Sequence, residues 1–396
     1  TLLSLSQIPR HFEDEFHLFK FTIDTRLGKI QFVNGVPTSE TDPTLKTFRI
    51  NEIYLQGVVL WGDGTQDELD YPYPQTVRPY AEHTYAESGI YRITIVGNLQ
   101  QIRLGQIISS TDQVAYSFDV ISVDSGFPST HHIWFGSCFA YCVNLINIPP
   151  DLFNEIDAQN SPSGDFDPDF TSCFQDCTAL VGIPSGLFDK FKLTMPAEGF
   201  CGTTFGYCFR GCSAITSLPD YLFNGIPGIY DFERCFEECT SLSSIPVHLF
   251  GDTEFLSYQD TGLYTMSGIY ALSFERCFAG CSNLSEVPPG LFNATLTIPL
   301  ADYNVGDRDY ISFLGCFRDC TALREIPSGV FEAKIITDYT DDYINLSGVF
   351  NRCSSLASVP ADIFAYCDAG GYSFLASFMD CRGITSNVPT LWSAYP

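Results

Sequence analysis

Up to residue 105 the chain alternates apolar and polar residues in short runs separated by turn signals. "HLFKFTID", "GKIQFV", "TFRINEIYL", "GVVLWGDGT" and "GIYRITIVG" each put every second side chain on one face, the period of a half-buried strand. A small antiparallel β-sandwich is therefore predicted over residues 1–105. Asp63-Gly64 of "WGDGT" marks a tight turn that permits positive φ, with Val59 and Trp61 on the strand before it. The alternation blurs over residues 106–134, which reads as a junction and an N-terminal cap for the C-terminal region.

From Phe135 the rhythm changes. A 19-residue frame, F-x-x-C-F-x-x-C-x-x-L-x-x-[IV]-P-x-x-L-F, begins at Phe135, Phe170, Phe205, Phe232, Phe274 and Phe313, and in degenerate form at Leu346 and Phe374. Phe232, Cys235, Phe236 and Cys239 fall at i, i+3, i+4 and i+7, which predicts the inward face of a helix of about two turns. A Ser or Thr after the second cysteine offers a hydroxyl that can end such a helix. Leu242 and Ile245 then lead to Pro246, whose missing N–H ends ladder pairing and keeps the strand before it short, and Leu249 and Phe250 close the unit. So small a unit cannot bury its own apolar face, and stability has to come from stacking. Residues 135–396 are predicted to form a solenoid of about eight short helix–strand units, which places the whole chain in the α+β class. The last copy, with Ser377 for its first cysteine and Trp392 for its closing Phe, has the divergence of a capping repeat.

Between successive units lie inserts of 16, 16, 8, 23, 20, 14 and 9 residues, always at the same phase, so all should emerge on one side. They are rich in Tyr, Asp, Thr and Gly, a composition suited to recognition. Tyr258, Tyr264, Tyr270, Tyr303, Tyr310, Tyr339 and Tyr343 are the candidate ligand-binding residues. The competing reading is that the inserts are extra strands that widen a sheet.

Charge removes one class of partner. With 47 acidic against 20 basic residues the net charge is -27, which repels phosphate backbones and anionic lipid. No run approaches the roughly 20 apolar residues of a membrane span. The first residues lack a signal peptide's basic start and an initiator Met, as in a processed chain or a piece of a longer one. H-E-x-x-H, G-x-S-x-G and P-loop signatures are absent, so no enzyme activity is expected. Weak candidates for metal or acid–base chemistry are His131-His132 with Asp124, Asp167 with Asp169, and Asp338 with Asp341 and Asp342. No cofactor is expected, and Ca2+ is the one ion weighed.

Sixteen cysteines need an account. Cys138, Cys142, Cys173, Cys177, Cys208, Cys212, Cys235, Cys239, Cys277, Cys281, Cys316, Cys320 and Cys353 occupy the frame's two cysteine positions and are assigned a structural role. Disulfides within a unit would join Cα atoms about 6 Å apart, near the limit of that geometry. Disulfides from the first cysteine of one unit to the second of the next would pair Cys316 with Cys353 and so fit Val349 at the vacant first position. Free thiols packed as a small apolar ladder are the third arrangement. Cys367 and Cys381 form a candidate terminal staple. The count tilts toward an oxidising compartment, although buried reduced thiols fit as well.

Two resemblances rest on these motifs. Residues 53–98, with "VVLWGDGT" and "HTYAESGIYRITIVG", resemble a PKD-type β-sandwich, and this resemblance implies a structural hydrogen bond for His83. The repeats resemble BspA-like leucine-rich repeats of the DUF285 type, although the second cysteine and the long inserts depart from that family's compact unit. Together the resemblances imply a non-enzymatic adhesion or receptor-binding protein of a bacterial surface or phage virion or tail. Its location would be extracellular, and its partner a glycan or protein receptor. The alternative is a self-assembling structural subunit of a filament, fibre or virion.

Overall fold

The structure, a computed structural model, describes residues 18–27, 30–33, 36–41, 46–72, 78–105, 119–128, 134–156, 168–192, 203–226, 229–251, 271–297, 310–336, 343–365 and 371–384. Nine strands build the N-terminal part: β1 (Leu18–Asp24), β2 (Ile30–Val33), β3 (Val36–Thr41), β4 (Thr47–Ile50), β5 (Glu52–Leu60), β6 (Gln66–Asp70), β7 (Ala81–Thr84), β8 (Ile90–Arg103) and β9 (Val120–Val123). Five of them form an antiparallel sheet in the order β6-β5-β8-β1-β9. The alternation read from the sequence is visible in β1, where Phe19, Phe21 and Ile23 are buried. The β4-β7 pair supplies the facing layer, with the Phe48 ring 5.9 Å from that of Phe21.

The junction contributes to both halves. Its β9 pairs with β1, and Ser122 bridges to Asn147 in the first repeat. The N–H groups of Leu104 and Gly105 both donate to the Cys138 carbonyl at 2.8 Å, and Phe127 N–H donates to Leu152. The Phe127 ring stacks on Phe19 at 4.6 Å and approaches Phe135, Phe139 and Phe153, so sandwich and repeats share one continuous apolar core.

The repeats are not helix–strand units, and the α+β assignment is corrected: the protein is all-β. Among the described residues helical conformation is confined to a 3-10 turn at Asp189–Lys192 and the single residue Asp119. Each predicted helix is instead a pair of consecutive four-residue turns. In the unit starting at Phe232, Cys235 N–H donates to Phe232 and Cys239 N–H to Phe236, each bond closing a β-turn. Phe232, Arg234, Phe236 and Glu238 N–H donate out of the unit, to Ser273, Glu275, Cys277 and Ala279 of the next one. Coils are thus joined by a ladder like that of a parallel sheet. Stacked Phe rings at the second aromatic position follow the same ladder, 5.2 to 5.6 Å apart from Phe139 through Phe378. The i, i+3, i+4, i+7 pattern is shared by a short helix and by two chained turns. An eight-residue segment gains more from bonds to its neighbours than from a helix too short to hold itself.

The turns require φ > 0 at the third residue of each group of four. Arg234 (φ 53) and Glu238 (φ 63) adopt it, as do Ser137, Tyr141, Ser172, Asp176, Tyr207, Arg276, Asp319, Arg352, Ala376 and Asp380, with Gly211, Gly280, Gly315 and Gly348 at the remaining positions. The segment expected as a short strand before Pro246 is irregular, although Ser243 N–H reaches the Thr216 carbonyl of the preceding coil.

Strands do form where inserts return to the array. β10 (Thr203–Thr204), β11 (Ile229–Asp231), β12 (Ala271–Ser273), β14 (Tyr310–Ser312), β16 (Tyr343–Asn345) and β17 (Gly371–Ser373) make one six-stranded parallel sheet. Where two inserts depart, β13 (Phe292–Thr297) and β15 (Phe331–Ile336) pair in parallel.

Candidate functional site

The same-phase inserts and the stacked turns give the array a defined lateral surface, built from the residue before each opening aromatic outward. That residue is Asp169, Thr204, Asp231, Ser273, Ser312, Asn345 or Ser373 in every unit after the first. Its side chain accepts the N–H two residues on: Asp169 from Thr171 at 2.8 Å, Asp231 from Glu233 at 2.7 Å, Asn345 from Ser347 at 3.0 Å, with Thr204, Ser273 and Ser312 doing the same. The cause is local. Alternate N–H groups of the turn go to the next coil, the turn bonds take others, and this one has no backbone acceptor. The recurring Asp, Thr, Ser or Asn was the signal for this arrangement, and the frame taken from the first Phe left it out.

Asp231 is deeply placed among these acceptors. Burial raises its pKa from the ordinary carboxyl value, and the Glu233 and Asp169 carboxylates add to this against the bonds from Glu233 N–H and Thr204. On the adjoining coil Glu275 is also raised, first by burial and then by Glu233. A raised folded-state pKa makes Asp231 progressively unfavourable as pH climbs from the usual carboxyl range through its own value. Asp231→Asn keeps the acceptor and removes the buried charge, so its melting temperature at neutral pH should equal or exceed that of wild type. Asp231→Ala leaves the Glu233 N–H unpaired and should cost about 1–2 kcal/mol in a denaturant titration. Equal losses in both variants would refute the acceptor role.

A second row, on the turn tips, carries paired charges. Arg210 donates to Glu237 and Glu238 at 2.8 Å each and lies 3.7 Å from Asp176. Three coils on, Arg318 and Arg352 share Asp319, at 3.2 and 3.0 Å. Arg382 stands 3.9 Å from Asp380.

The described cysteines of the frame point inward, as expected, but do not pair. All fourteen described cysteines are free and buried. From the second unit on, the second cysteine gives its S–H to the carbonyl of the second Phe one coil back: Cys177 to Phe139, Cys212 to Phe174, Cys239 to Phe209, Cys281 to Phe236, Cys320 to Phe278 and Cys353 to Phe317, at 3.1–3.3 Å. Cys381 does the same to Phe350. Where Ser377 replaces a first-row cysteine, its hydroxyl bonds to Leu346 and Phe374 carbonyls. Burial pushes the frame thiols from Cys138 through Cys320 above their ordinary range, Cys239 up to about 12, which suppresses the nucleophilic thiolate, whereas a hydrogen bond with Cys353 lowers Cys381. The described thiols act as small apolar side chains with a weak donor. Cys367 lies outside the described residues.

The sandwich turn is built as its motif implied. Asp63 accepts from Thr65 N–H and Oγ1, and its other oxygen lies 2.8 Å from His83 Nε2. The His83 ring stacks on Trp61, whose carbonyl accepts the Tyr85 hydroxyl. Burial alone would raise Asp63, but these bonds win and hold it at about 2. His83 is a structural side chain.

Of the predicted insert tyrosines, Tyr310 and Tyr343 are described, on adjacent strands β14 and β16 and in register with each other. Their place in a sheet supports the competing reading for that part of the inserts. Tyr258, Tyr264, Tyr270, Tyr303 and Tyr339 lie outside the described residues, as do His131, His132, Asp167, Asp338, Asp341 and Asp342. Asp124 is engaged by Thr22, Ser122 and Arg92 and ties β1, β8 and β9 together. Among the described residues no group of three or more His, Cys, Asp or Glu could hold a metal ion, and no helix is long and apolar enough to cross a membrane. Neither family models, nor curated proteins, nor solved structures match the chain, so the PKD-like and BspA-like resemblances stand on their own residues.

Proposed function

We propose that this is a non-enzymatic adhesion or receptor-binding protein, displayed on a bacterial surface or a phage virion or tail, in which the repeat array presents variable inserts to a glycan or protein ligand. The observation that carries the reading is positional. The returning ends of six inserts line up in one parallel sheet, and the departing ends of two pair beside each other, so inserts of very different length share one rigid edge. Variable segments on a fixed scaffold are how many binding proteins separate recognition from stability. The test is binding to a glycan array and to a panel of bacterial and epithelial cells, with the whole chain and with a variant lacking residues 252–270. The expected result is selective binding that this deletion abolishes or redirects while the melting temperature holds. No binding by the whole chain, or identical binding by deletions in every insert, would contradict the reading.

A further inference from the structure

We propose that the turn-tip concavity over the last three coils binds the carboxylate of an acidic sugar, a reading that rests on the proposed binding role and names a ligand class for it. The concavity has a volume of 550 Å³ and is open to solvent, within the range of small-ligand sites. Arg318, Arg352 and Arg382 reach it from three successive coils, with Asp319, Asp380 and Asn351 between them. Two carboxylates face three guanidiniums, a local excess of positive charge on a chain of net charge -27.

The pairing geometry leaves this charge available. Arg318 and Arg352 both spend Nε on the single carboxylate of Asp319, and among the described residues their terminal nitrogens have no partner. Arg210 makes the contrast, with three carboxylates around one guanidinium. A planar terminal Nη pair suits the two oxygens of a carboxylate.

Asn351 lines the concavity between the arginines and is 6% exposed, its carboxamide oxygen sealed from solvent and out of a ligand's reach. A ligand that brings both a carboxylate for the guanidiniums and hydroxyls for the Asp319 and Asp380 carboxylates is a hydroxylated acid, which among glycan units means a uronate or sialate. A peptide is the poorer fit, because the lining is charged and polar and offers no aromatic pocket for an anchor.

The experiment compares the whole chain with Arg318→Gln and Arg382→Gln on an array of glucuronate-, galacturonate- and sialate-terminated glycans printed beside their carboxyl-reduced counterparts. Arg382 is 84% exposed, so its substitution leaves folding intact, as a thermal melt would verify. The expected result is binding to an acidic glycan that falls at least tenfold on carboxyl reduction and at least fivefold in each variant. Equal binding to acid and reduced forms, or unchanged binding by both variants, overturns the proposal. If only insert deletions abolish glycan binding, or cells are bound without any acidic glycan, the concavity is not the site while the adhesion reading survives. If neither cells nor glycans are bound, both fall.

Discussion

Phe232→Ala should destabilise the repeat array by about 3–5 kcal/mol, the range for emptying a well-packed aromatic site. The ring is fully buried, stacked between Phe205 at 5.8 Å and Phe274 at 5.4 Å, and met edge-on by Phe223 at 4.9 Å and Phe250 at 5.0 Å. Stacked coils hold chiefly to their neighbours, so a hole at a middle coil weakens two interfaces at once. Denaturant unfolding should shift to lower midpoint and split into two transitions, for the coils on either side. Leu375, 77% exposed on the last coil, provides the comparison. Leu375→Ala should stay within about 0.5 kcal/mol of wild type. Comparable losses in both variants would show that the aromatic stacks do not carry the array.

Gly105→Ala should break the joint between sandwich and repeats. A Cβ on Gly105 would overlap the Ala140 nitrogen and the Ser137 and Ala140 carbonyl oxygens, all backbone atoms that no rotamer change can move. The same residue donates its N–H to Cys138, so relief by shifting the chain also loses a hydrogen bond. Gly126 meets Asp151 in the same fashion on the other side of the joint. Overpacking of this kind costs about 1–3 kcal/mol. The visible result should be faster proteolysis between residues 105 and 134, with the sandwich released as a fragment. Gly182→Ala, where nothing lies within 4 Å, should leave the cleavage pattern as it is.

Much of the architecture was legible in the sequence. Strand alternation such as that of "LFKFTID" located β1 and its buried face, and the 19-residue frame located most inward aromatics, leucines and cysteines of the array, though not the insert residues Phe191 and Leu272. What it could not decide was the backbone that joins them. Phe232, Cys235, Phe236 and Cys239 share a face in a helix and in a pair of turns alike, and non-glycine residues such as Arg234 and Glu238 conceal the positive φ that separates the two. Glycine at Gly211, Gly280, Gly315 and Gly348 was the available hint, together with the Asp, Thr, Ser or Asn ahead of each unit. The Arg-lined concavity was invisible for another reason. Arg318, Arg352 and Arg382 sit at different offsets in their units, and only the stacking brings them together.

The central claim is that each unit is a coil bonded to the next coil and not a helix bonded to itself. Amide hydrogen exchange resolved to single residues across 232–239 tests it directly. In a helix beginning at Phe232 the first four N–H groups lack intrahelical acceptors and exchange fast. In the stacked coils Phe232 and Arg234 donate to Ser273 and Glu275 at 2.8 and 2.7 Å. The expected result is that these two amides are protected as strongly as Phe236 and Glu238; fast exchange at Phe232 and Arg234 with protection only from Phe236 onward would contradict it.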